Sequence, residues 1–117
     1  MSASAKNAST MPTGEPQVLA DMVSYAAGAV VSRTLVKQPG GNVTLFSFGA
    51  GQGLSEHTAP FDALVTILDG QADITIGGKT QVVSAGQSIL MPAGVPHALH
   101  SDAQFKMLLV MVRDLPQ

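Results

Sequence analysis

The feature that most constrains this chain is a run of short apolar segments, each closed by a glycine turn. "DALVTIL" (Asp62 to Leu68) turns at Asp69-Gly70 into "QADITI" (Gln71 to Ile76), and Gly77-Gly78 turns again into "KTQVV" (Lys79 to Val83). Each segment is too short for a stable helix and is rich in Val, Ile and Thr, which suit a pleated, half-buried surface. Two-residue Asp-Gly and Gly-Gly turns are the tight connections of antiparallel hairpins. The same grammar holds elsewhere. "VVSRTLVK" (Val30 to Lys37) breaks at Gln38-Pro39-Gly40-Gly41 before "NVTLFSF" (Asn42 to Phe48), and "GAGQG" (Gly49 to Gly53) reads as a loop. "SILMP" (Ser88 to Pro92), "HALHS" (His97 to Ser101) and "FKMLLVMVR" (Phe105 to Arg113) complete the set. Many short strands at this spacing imply an all-β sandwich or barrel. A short helix within Val18 to Ala27 is the one exception expected.

A chain of 117 residues favours one domain. Residues 1–16, rich in Ser, Ala and Thr, read as a flexible or extended tail, and residues 17–117 as a single barrel domain. The opening "MSASAKNASTMPTGEP" has neither the apolar core nor the basic start of a secretory leader, and no stretch reaches the length of a membrane span. A cytoplasmic protein without membrane contact is therefore expected. The formal charge is −2 and the six basic residues are scattered along the sequence, which argues against a nucleic-acid partner. Cysteine is absent, which excludes disulfides, thiolate nucleophiles and cysteine zinc sites. "GAGQG" lacks the Lys-Ser/Thr and the helix of a phosphate loop, and no signature of a serine triad occurs.

Two motifs stand in register on this frame. The first runs Gly51, His57, Ala59, Ala63, Gly70. The second is "GQSILMPAGVPHALHS", with Gly86, Pro92, Gly94, His97 and Ser101. Their spacing resembles the two motifs of the cupins, small jelly-roll barrels of the double-stranded β-helix (RmlC-like) type, over about Val30 to Arg113. That resemblance implies a metal held by two histidines and a glutamate of the first motif and one histidine of the second. Here His57 and His97 match two of those four positions, while Ala59 and Ala63 occupy the others.

Ligand counting then decides what the pair can hold. Residues two apart on a strand share a face, so His57 and His97 on neighbouring strands can aim into one pocket. Two imidazoles fall short of the three protein ligands usual in a catalytic site. Without a carboxylate, Fe²⁺ and Mn²⁺ lose a preferred oxygen ligand, and the site leans towards Zn²⁺, Ni²⁺ or Cu²⁺. Asp62 and His100 are the candidate third ligands. Each has the wrong parity for the pocket unless a bulge, at Pro60-Phe61 or after His97, inverts it. In the metal-free alternative the histidines simply line a cavity, with Ser55 a natural partner for His57. Glu56 reads as a solvent-facing edge charge.

Two functional classes follow. One is a binding module that holds a small molecule in the barrel, with a reduced divalent-metal site at His57 and His97. The other is a metal-dependent, dioxygenase- or isomerase-like enzyme using the same residues with Asp62 or His100. The Ala59/Ala63 pair removes charge and bulk together, which favours a ligand-binding module or an enzyme with a reduced metal site over a standard four-ligand metal oxygenase. A homodimer is also expected, because the last segment is apolar on both faces and only 12% of residues are charged.

Overall fold

The computed structural model describes residues 9–113. Nine strands form two antiparallel sheets: β1 (Val30–Gln38), β2 (Gly41–Phe48), β3 (Gly53–His57), β4 (Asp62–Asp69), β5 (Gln71–Ile76), β6 (Lys79–Ser84), β7 (Ser88–Met91), β8 (His97–His100) and β9 (Phe105–Val112). The orders are β1-β2-β9-β4-β7 and β3-β8-β5-β6, so the last strand inserts into the middle of the larger sheet. This is the all-β architecture expected from the strand pattern, with the jelly-roll topology that the cupin resemblance implies. Strand β3 is the exception: its first residue, Gly53, falls in the stretch read as a loop.

Side-chain alternation builds the interior. Ala63, Val65 and Ile67 of β4, Ala72 and Ile74 of β5, and Phe105 and Met107 of β9 all point between the sheets. Phe48 and Phe105 stack with centroids 4.4 Å apart and rings 8° from parallel, which ties β2 to β9 at the centre of the core.

A second apolar cluster lies on the outer face of the five-stranded sheet. Leu35 and Leu45 are buried there with Val23, and Met11, Leu19, Met22 and Leu108 pack around them. The segment before β1 thus covers one end of this face. Within the stretch expected as a tail, residues 1–8 lie outside the described residues. Thr10 and Met11 both donate backbone hydrogen bonds to the Leu35 carbonyl, and the Ser9 hydroxyl accepts one from the Lys37 amide.

The short helix expected in Val18 to Ala27 is only a single 3-10 turn, Leu19–Asp21. Alternate carbonyls of this stretch are taken by side chains from the sheet. Lys106 Nζ donates to Ala20 O at 2.6 Å, Arg33 to Met22 O at 3.2 Å and Ser47 Oγ to Ser24 O at 2.7 Å. These acceptors are then held in tertiary bonds, and the segment lies down as a strap. Tyr25 fastens its end through a hydrogen bond to Asp69. Burial, reinforced by that carboxylate, keeps the Tyr25 hydroxyl protonated well beyond its ordinary range.

The strap also explains part of the two-faced apolar character of β9, since Leu108 packs beneath it. Among the described residues no helix is long and apolar enough to cross a membrane. Because Phe105 is fully buried in the stack, Phe105→Ala should lower unfolding free energy by about 3–5 kcal/mol in urea denaturation. A loss under about 1 kcal/mol would show that the stack is not central to the core.

Candidate functional site

The two histidines come together through a break in strand regularity. β3 pairs with β8 as Gly53–His100 and Leu54–Leu99, and the register then shifts so that His57 stands opposite His97. One extra residue in β3 therefore turns the His57 ring onto β8. Gly53 allows the strands to meet this closely, because a Cβ there would lie 2.2 Å from the Leu99 carbonyl oxygen. His97 lies on β8 between β3 and β5 and is 5% exposed, whereas His57 stands exposed on the edge strand.

The imidazoles approach edge to face, with Nε2 to Nε2 at 3.2 Å. Their other nitrogens decide what that contact means. His57 Nδ1 lies 2.9 Å from the Ser55 carbonyl oxygen, and His97 Nδ1 lies 3.2 Å from that of Val95. A carbonyl only accepts, so each Nδ1 carries the proton and donates. In the neutral form each ring therefore presents a bare Nε2 lone pair to the other. Two such lone pairs at this distance repel. A positive charge between them, a shared proton or a metal ion, makes the contact attractive.

The donor set fits a metal ion in part. Two nitrogens bound to one ion at about 2.0–2.1 Å sit roughly 2.8–3.4 Å apart in octahedral or tetrahedral geometry, and the observed 3.2 Å falls inside that window. Backbone carbonyls on both Nδ1 atoms are the outer partners that orient ligating histidines. The count stops at two. Among the described residues no group of three or more His, Asp or Glu side chains could hold an ion.

Asp62 and His100 do not supply the missing ligand within the chain. β8 runs against β5 from His97–Ile76 to His100–Asp73 without a shift, so no bulge follows His97. His100 accordingly faces outward, its side chain 56% exposed and its Nε2 3.9 Å from Asp102. Asp62 is exposed at the start of β4 and accepts a hydrogen bond from the Ala93 amide at 2.9 Å, while its neighbour Ala63 takes the buried position. Strand parity holds at both places, and the bulge lies instead in β3.

Ser55 is the partner of His57, as expected, and holds the ring through its backbone carbonyl. Ala59 has a role that its side chain does not reveal. Its carbonyl accepts a 2.8 Å hydrogen bond from Gly94, which joins the segment after His57 to the turn before His97. Gly94 has φ +77°, a left-handed backbone that glycine adopts without steric cost. Glu56 is exposed on edge strand β3.

Comparisons with known proteins identify relatives of the chain as a whole. The Cupin_2 model, described as a cupin domain, matches residues 44–113. A conserved protein of unknown function from Streptococcus pyogenes is 42% identical with a TM-score of 0.85, over 91% of this chain and 93% of that one. A cupin superfamily protein from Desulfitobacterium hafniense is 30% identical with a TM-score of 0.83, over 89% and 95%. An uncharacterised protein of Streptomyces coelicolor is 31% identical over 70 residues, which span 60% of this chain and 67% of that protein.

Proposed function

The chain belongs to the cupin family, and from that membership we propose a small-molecule-binding protein whose His57–His97 pair takes one divalent transition-metal ion. The observation that carries this reading is the convergence of the two Nε2 atoms while both Nδ1 atoms are committed to backbone carbonyls. His97 is the buried anchor and His57 the exposed arm, so a ligand approaches from the side of His57. The carbonyls of Ser55 and Val95 hold the rings in the tautomer that ligates.

With two protein nitrogens, Zn²⁺, Ni²⁺ or Cu²⁺ suits the pair better than Mn²⁺ or Fe²⁺. A bound ion there supplies a Lewis acid with several positions left for ligand oxygens. Ala59 and Ala63 cannot fill those positions, which favours exchange of a bound molecule over a closed structural site. A second reading, an isomerase-like enzyme, draws on the same contact: a proton held between the two Nε2 atoms is available for transfer.

Protein purified without a histidine tag and equilibrated with Zn²⁺ should hold close to one equivalent, and His57→Ala and His97→Ala should each lose it. Retention below about a tenth of an equivalent with Zn²⁺, Ni²⁺ and Cu²⁺ alike would reject the metal reading.

The homodimer is part of the same proposal. Val36, Val43, Val110, Leu64 and Leu90 align by direct strand pairing across all five strands of the larger sheet, on the outer face beyond the strap. Val36, Leu64 and Leu90 are exposed there, and a second copy covers the row. Light scattering at micromolar concentration should give twice the 12.0 kDa chain mass, with Leu64→Glu shifting it to the single-chain value. A wild-type mass of one chain would contradict the dimer.

A further inference from the structure

A second site lies away from the histidine pair, where β1, β2 and β9 end. Lys37, Gln38, Pro39, Asn42 and Arg113 line a hollow of about 340 Å³, a volume in the range of small-molecule sites. Strand pairing assembles it: Lys37 stands opposite Asn42, and Asn42 opposite Met111. The Arg113 amide donates to the Gly40 carbonyl at 2.9 Å, which fixes the chain beyond β9 against the β1–β2 turn. The Arg113 guanidinium lies 5.4 Å from the centroid of the Phe61 ring, a cation–π contact that orients it.

Donors dominate this hollow. Neither Lys37 nor Arg113 has a carboxylate partner among the described residues. Asp62 shares a neighbouring hollow with Arg113, but its Oδ1 accepts from the Ala93 amide. Asn42 Oδ1 is buried and has no hydrogen-bond partner among the described residues. An amide oxygen left this way costs about 1–3 kcal/mol. With Oδ1 in the buried position, the Nδ2 donors are the end of the amide left for a ligand in the hollow that Asn42 lines.

We propose that Lys37, Asn42 and Arg113 form a binding site for the carboxylate or phosphate end of a small organic anion. The ammonium and guanidinium neutralise the oxyanion, with the planar Arg113 fork suited to two of its oxygens. Asn42 Nδ2 adds a neutral donor that fixes orientation. The rest of the hollow leaves room for a carbon body. No residue of the site belongs to the histidine pair, so the two readings stand or fall separately.

NMR titration at constant ionic strength tests the site with three probes: inorganic phosphate, citrate, and neutral glycerol as control. Either anion should saturate with a dissociation constant below about 10 mM, shifting the amides of Lys37, Gln38, Asn42 and Arg113. Stronger binding of citrate assigns the carboxylate source, and stronger binding of phosphate the phosphate source. Arg113→Gln should weaken binding about tenfold or more, as expected for loss of a charge-assisted contact. Lys37→Gln/Arg113→Gln should abolish it, while His57→Ala leaves it unchanged. All these positions are solvent-exposed, and circular dichroism checks the fold of each variant. Absence of saturable binding by both anions in the wild type would overturn the proposal, as would undiminished binding in the double variant.

Discussion

The barrel depends on the placement of β9. This strand enters between β2 and β4, and both of its hydrogen-bonding edges are filled by partners distant in sequence. Its inner side chains, Phe105 and Met107, close the core, and Leu108 on its outer side packs beneath the N-terminal strap. A strand paired on both edges and packed on both faces has little freedom to slip, because a one-residue shift would exchange the two faces. The Phe48–Phe105 stack holds that register from inside, and Lys106 reaches from the same strand to the strap carbonyl of Ala20.

Against this rigid frame the histidine site is a local exception. Regular pairing throughout β3 would not set His57 opposite His97. The bulge does, and Gly53 lets the two strands approach where it begins. Each ring is then oriented by a carbonyl two residues before it, so the same short stretches of backbone that position the rings also choose their tautomers. The approach of the two Nε2 atoms, with both Nδ1 atoms on carbonyls, is the observation on which the proposed metal site rests.

Much of this was legible in the sequence. Alternation and glycine turns located nearly every strand, and parity correctly sent His100 and Asp62 outward, because β8 pairs regularly with β5 and Ala63 takes the buried position beside Asp62. Ser55 is the partner of His57 as its sequence position suggested, through its carbonyl, whereas the bulge that sets His57 opposite His97 leaves no signature in "GLSEH". The strap was read partly as a helix because its composition permits one. Lys106, Arg33 and Ser47, which claim its carbonyls, lie far along the chain. The basic residues looked scattered, yet Lys37 and Arg113 meet once β1, β2 and β9 are paired. The apolar outer face of β9 pointed to a partner subunit, whereas its strap-covered part is satisfied within the chain.

Long-range proton–nitrogen NMR correlation of the imidazole rings tests the central claim directly. With one equivalent of Zn²⁺, His57 and His97 should both show protonated Nδ1 and should both shift at Nε2 together. A response from only one ring, or ligation through Nδ1 in either, would contradict the account.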